Sequence, residues 1–116
     1  MNLYEVEGKQ LLAAAGVPIP SGRVVTRPEE AAEMARQLGA VAVKAQVRSG
    51  HRGQQGAVRL VHSPDGAYHA ASELLAMRIA DEHPAGVLVE SLLEIRSELY
   101  AAVIIDPRRQ TGLLIF

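Results

Sequence analysis

The chain has 116 residues, 48% of them apolar, and a net charge of −1. That suits one globular domain or part of one, long enough to bury an ordinary core, and it argues against a general nucleic-acid or membrane-surface partner. The absence of cysteine excludes disulfides and thiolate metal sites and agrees with a reducing, cytoplasmic setting, and no apolar run has the length of a membrane span.

The opening, MNLYEVEGKQ, carries glutamates and no basic leader, so a signal peptide is not expected. Asn2 and Glu5 have capping-box spacing, and Tyr4, Leu11, Leu12 and Ala15 recur at helical intervals. Glu5 and Lys9 form a favourable i,i+4 pair. Gly16 and Pro18 stop the helix, and VPIPSG reads as an extended linker. Gly22–Thr26 is a predicted strand. Thr26, Pro28 and Glu29 then signal a second helix with Ala31, Ala35 and Leu38 as its buried stripe, ended by Gly39.

Val41–Val47 is a predicted strand with Val41, Val43, Ala45 and Val47 on one face and Lys44 on the other. A glycine-rich basic loop follows, and Ala57–Val61 returns as a strand. Ser63, Pro64 and Asp65 start a third helix with Ala67, Ala70, Ala71, Leu74 and Met77 on one face, ending near His83–Pro84. Val87–Glu90 is a strand, SLLEIRS a connector and Glu98–Asp106 a strand. A turn leads to Leu113–Phe116, where the chain stops inside an apolar run, so an incomplete domain is expected. The fold class is α/β, of α+β type. Two pairs of strands look like hairpins, so a mixed sheet is expected.

The segment VAVKAQVRSGHRGQQGAVRLV, residues 41–61, holds the main chemical signal. Arginine outnumbers lysine ten to two, yet a lysine lies in this otherwise neutral strand. The loop beside it holds Arg48, Gly50, His51, Arg52, Gly53 and Gly56. Glycines let backbone N–H groups approach a ligand, and such groups can form an anion-binding concavity. Lys44 with this loop is therefore a candidate clamp for a nucleotide polyphosphate. The same pattern also describes a surface lysine beside an ordinary glycine hairpin. It is not a P-loop, whose lysine follows the glycines at a helix start, and it is not a dinucleotide fingerprint, because no helix follows.

Glu90 closes one strand and Glu98 opens the next. Both fit a crevice between two sheet segments, where the connector could meet a base edge and a carboxylate could accept from ribose hydroxyls. Taken alone they also read as two solvated glutamates. The four histidines have no metal-ligand spacing, and no serine stands in a triad context.

The ordered set of MNLYEVEGKQLLAAAGVPIPSG, VAVKAQVRSGHRGQQGAVRLV and VLVESLLEIRSELYAAVIID resembles the N-terminal part of the β subunit of succinate–CoA ligase, an ATP-grasp enzyme, over the whole chain. The resemblance implies an ATP-grasp nucleotide-lid subdomain with an N-terminal helix over residues 1–94. It implies the first strands of the second subdomain over residues 95–116. Lys44 would bind ATP phosphates, and His51, Arg52 and Gly53 would lie in the loop that closes over them. Glu90 and the connector around Leu93 would meet adenine, and Glu98 the ribose.

The implied reaction is that of an ADP-forming acid–thiol ligase of the tricarboxylic acid cycle. ATP drives thioester formation between succinate and coenzyme A through phosphoryl transfer. Mg²⁺ is required, with ligands outside this stretch, and an α subunit is the partner. A malate–CoA ligase or related acyl-CoA synthetase, and a stand-alone non-catalytic nucleotide-binding module, are the alternatives. Arg48, His51, Gln54 and Leu93 depart from the family's usual residues, as do Val6 and Gly8 in the opening helix.

Overall fold

A computed structural model describes residues 2–48, 56–79 and 81–116. The order is α1 (Glu5–Ala14), β1 (Gly22–Val25), α2 (Pro28–Leu38), β2 (Val41–Ala45), β3 (Val58–Val61), α3 (Pro64–Ala76), β4 (Val87–Ser91), β5 (Ala102–Asp106) and β6 (Thr111–Ile115). Four strands form one sheet in the order β1-β4-β2-β3, and β5 pairs with β6 separately.

Every ladder is antiparallel. The alternation of helices and strands had suggested parallel neighbours as well. The reason none appears is an insertion: β4 lies between β1 and β2, and β2 lies between β3 and β4. The crossovers β1–α2–β2 and β3–α3–β4 each join strands that run the same way but are one position apart. The two units are thus split and interlocked.

The two faces of this sheet differ in chemistry. Val25, Val41, Val43, Ala45, Val87 and Val89 point to one side and are buried against Ala31, Met34 and Ala35 of α2 and Ala67, Ala70, Ala71 and Leu74 of α3. Alanines dominate the helical side of this core, so α2 and α3 can lie close to the sheet and to each other. Burying these side chains is the main stabilising term, at about 25 cal/mol for each Å² of apolar surface removed from water. The other face presents Ala42, Lys44, Leu88 and Glu90, and α1 lies on that side through its contacts with Lys44 and Glu90.

Helix starts sit one or two residues later than the capping patterns suggested. Tyr4, not Asn2, precedes the first turn of α1, and its N–H donates to Glu7 Oε2 at 2.7 Å. Arg27, not Thr26, precedes α2, and Glu30 rather than Glu29 accepts from Arg27 N–H at 3.2 Å. In each case a competing glutamate stood at a nearby register. At α3 the sequence offered one choice, and Ser63 Oγ accepts from Gly66 N–H at 3.0 Å as expected.

Helix α3 ends at Ala76, short of His83–Pro84, because Met77 already has extended backbone. The strand expected from Glu98 begins only at Ala102, where pairing with Ile115 begins. The α1 terminus is a Schellman motif. Gly16 has φ +83°, its N–H donates to Ala13 O at 3.0 Å, and Val17 N–H donates to Leu12 O at 3.0 Å.

Leu11 and Leu12 of α1 recur at helical intervals, and they are 62% and 50% exposed. No residue of α1 is buried. What fixes this helix to the sheet is polar.

Candidate functional site

Glu90 is the centre of the polar face. It lies on β4, 4% exposed, in register with Gly22 on one side and Ala42 on the other. These small neighbours leave room above the strand for longer side chains. Gly22 is required there: a Cβ at this position would sit 2.3 Å from Val89 O and 2.6 Å from Glu90 Cα. Two lysines fill the space. Lys44 Nζ is 2.6 Å from Glu90 Oε1, and Lys9 Nζ pairs with Glu90 Oε2.

Glu5 closes the ring, 2.9 Å from Lys44 and 3.2 Å from Lys9. Two ammonium groups and two carboxylates therefore alternate, with no net charge. Burial opposes the charge on Glu5, but the hydrogen bond and charge of Lys44, helped by Lys9, outweigh it and hold its carboxyl below the usual value. Burial likewise opposes the Lys44 ammonium, and the hydrogen bonds to Glu90 and Glu5 overcome it and raise Lys44 above its usual value. Lys44 is a firmly charged cation at neutral pH.

The first turn of α1 follows the strand that carries Lys44. Glu5 meets Lys44, Val6 N–H donates to Gln46 Oε1 at 3.1 Å, and the Arg48 guanidinium lies over the Tyr4 ring at 4.9 Å. Gln46 is buried, and its Nε2 donates to Lys44 O at 3.2 Å. Tyr4, just before α1, and the first two residues of the helix thus hold three alternate residues of one segment, up to the position where the glycine-rich loop begins.

A cavity of about 630 Å³ opens beside the charged ring. Ala42, Lys44, Val58 and Leu60 form its floor, Leu92, Leu93 and Ile95 its apolar wall, and Glu90 and Glu98 stand on it as well. Of the residues singled out from the sequence, Lys44, Glu90, Leu93 and Glu98 are brought to this one cavity. His51, Arg52 and Gly53 lie outside the described residues, as does Gln54. The Glu90 carboxylate is engaged by both lysines. Apolar walls that can sandwich a flat ring, with a fixed cation and a separate carboxylate, suit a nucleotide.

Sequence reasoning missed Lys9 and Glu5 as members of this site. Their i,i+4 spacing showed the pair but not that a sheet carboxylate completes it. The signal that could have found Lys9 is its rarity, since it is one of two lysines.

The sequence matches the ATP-grasp domain family across residues 2–116. The chain belongs to the ATP-grasp family. Among curated relatives, the succinate–CoA ligase [ADP-forming] subunit beta of Gemmatimonas aurantiaca is 46% identical over 107 residues, which is 91% of this chain and 28% of that protein. The [GDP-forming] subunit beta of Thermus thermophilus is 41% identical over 115 residues, 98% of this chain and 30% of that protein.

The chain thus spans under a third of the length of these curated relatives. Among solved structures, the dinucleotide forming acetyl-coenzyme A synthetase 1 of Ca. Korarchaeum cryptofilum, in complex with coenzyme A and Ca-AMPCP, superposes with a TM-score of 0.84 at 23% identity. The match covers 97% of this chain and 51% of that one. That likeness supports the ATP-grasp architecture. In this family the nucleotide is ATP, and the cavity on the polar face is the candidate ATP-grasp site. No helix among the described residues is long and apolar enough to cross a membrane.

Proposed function

We propose that this chain is the ATP-binding N-terminal part of a cytoplasmic, ADP-forming succinate–CoA ligase β subunit. One observation carries the reading: in an ATP-grasp chain with such relatives, Lys44, Glu90, Leu93 and Glu98 line one cavity. Residues 1–94 act as the nucleotide lid, and residues 95–116 supply the first strands of the second subdomain. Lys44 pairs with ATP phosphate oxygens, the connector around Leu93 and the apolar wall cover the adenine, and Glu98 accepts from ribose hydroxyls. His51, Arg52 and Gly53 contribute the loop that closes over the phosphates.

The chain's contribution to the reaction is positioning and charge neutralisation. Phosphoryl transfer offers little covalent work to a protein, so a fixed cation beside the phosphates is the useful element. Apolar walls exclude water from the transfer. The Mg²⁺ ligands are assigned elsewhere in the enzyme. Succinate, coenzyme A and an α subunit complete the system.

The test is a titration of the complete native protein with ATP and with coenzyme A, for wild type and Lys44→Met. Lys44→Met is expected to weaken ATP at least about tenfold, the scale of one charge-assisted contact, and to leave coenzyme A unchanged. Equal ATP affinity in the two proteins would remove Lys44 from the phosphate site. Formation of a thioester with succinate, and its absence with malate, tests the acyl substrate.

A further inference from the structure

We propose that the first turn of α1 is a counter-ion latch on the phosphate position, with Glu5 held by Lys44 until a polyphosphate displaces it; this rests on the reading of Lys44 as the phosphate-binding cation.

The geometry supplies the competition. Glu5 and Glu90 approach the Lys44 ammonium at 2.9 and 2.6 Å. An anion arriving at this ammonium meets two carboxylates of its own sign, so one must yield. The two are not equivalent. Both also pair with Lys9, but Glu90 is buried on a central strand. Glu5 is on a helix that buries no residue, and its side chain is 20% exposed. Moving Glu5 off Lys44 shifts a part-exposed carboxylate at a helix end, whereas moving Glu90 would disturb a buried one on a central strand. Glu5 is therefore the group that leaves.

Its departure has a consequence for the helix. The attachment of α1 includes the Glu5 and Lys9 pairs, the Val6–Gln46 hydrogen bond and the Tyr4–Arg48 contact. All converge on Glu90 or on the segment of residues 44–48. Phosphate binding at Lys44 thus removes one of the ties and loosens α1. By linkage, a loosened α1 favours the phosphates by the same factor. Adenosine, which has no phosphate to offer Lys44, should not disturb the helix.

Calorimetric titration of the complete native protein with ATP and with adenosine, for wild type and Glu5→Gln, tests the latch. Glu5→Gln keeps the shape and removes the charge. It is expected to bind ATP about three- to fivefold more tightly, the size of one part-exposed ion pair, with adenosine unchanged. A second measurement needs no variant: in wild type, ATP and not adenosine should lower the amide-exchange protection of residues 5–14.

Unchanged or weaker ATP binding by Glu5→Gln overturns the latch, as does α1 protection in wild type that ATP leaves intact. In both cases the nucleotide reading survives. A wild-type protein that binds neither ATP nor adenosine overturns the nucleotide reading and the latch together.

Discussion

Lys44 and Glu90 show how little a side chain's chemistry says until its neighbours are known. Each is diagonal to the other across β2 and β4, since Ala42 stands opposite Glu90 and Lys44 opposite Leu88. Their approach depends on the small residues in register with Glu90. Gly22→Ala should test this at the level of one methyl group. The added Cβ would meet backbone, at 2.3 Å from Val89 O, so β1 must move. A loss of about 3 kcal/mol in urea denaturation is expected, toward the upper end for overpacking a closed site. An Ala variant as stable as wild type would mean that β1 can shift along β4 without penalty.

At the scale of elements, α1 and α3 are held by different forces. Leu74 of α3 is fully buried in the core, whereas Leu11 of α1 is mostly exposed. Leu74→Ala should cost about 3 kcal/mol through lost burial and a cavity. Leu11→Ala should change stability by less than about 0.5 kcal/mol. Matched denaturation curves decide the point, and a Leu11 effect as large as that of Leu74 would show that α1 is packed after all. The hairpin of β5 and β6 is a third case. Its Val103, Ile105 and Leu114 are exposed, so cross-strand pairing holds it together.

Across the whole molecule, the ionic attachment of α1 and the apolar attachment of α2 and α3 respond to different conditions. Glu5 is ringed by Lys44 and Lys9, with the Glu90 carboxylate beyond them. Its folded pKa lies below its ordinary 4.5. Its contribution is therefore complete above about pH 4.5 and is lost as the pH falls through the lower folded value. The Lys44 contribution has the opposite sense. It is complete below the ordinary 10.5 and is lost as the pH rises through the higher folded value. Amide-exchange protection factors measured between pH 3 and pH 7 should fall in α1 toward the acid end while β2 and β4 stay protected. A uniform loss across helix and sheet would show that α1 does not open separately.

Much of this protein was legible from residue order alone. Alternating apolar residues defined β2 and placed Lys44 on the face opposite the core. Alanine spacing defined the buried sides of α2 and α3, and Gly16 marked the end of α1. These features depend on periodicity and local backbone preference, which act over a few residues. What the tertiary structure decided was long-range. It placed β4 between β1 and β2, gave Glu90 two lysine partners, and made α1 a charged strap with no buried residue. Lys9 and Glu90 are 81 positions apart, and Glu5 and Lys44 are 39 apart. No local pattern encodes such a pairing, because it forms only when sheet register and helix placement bring the charges within reach.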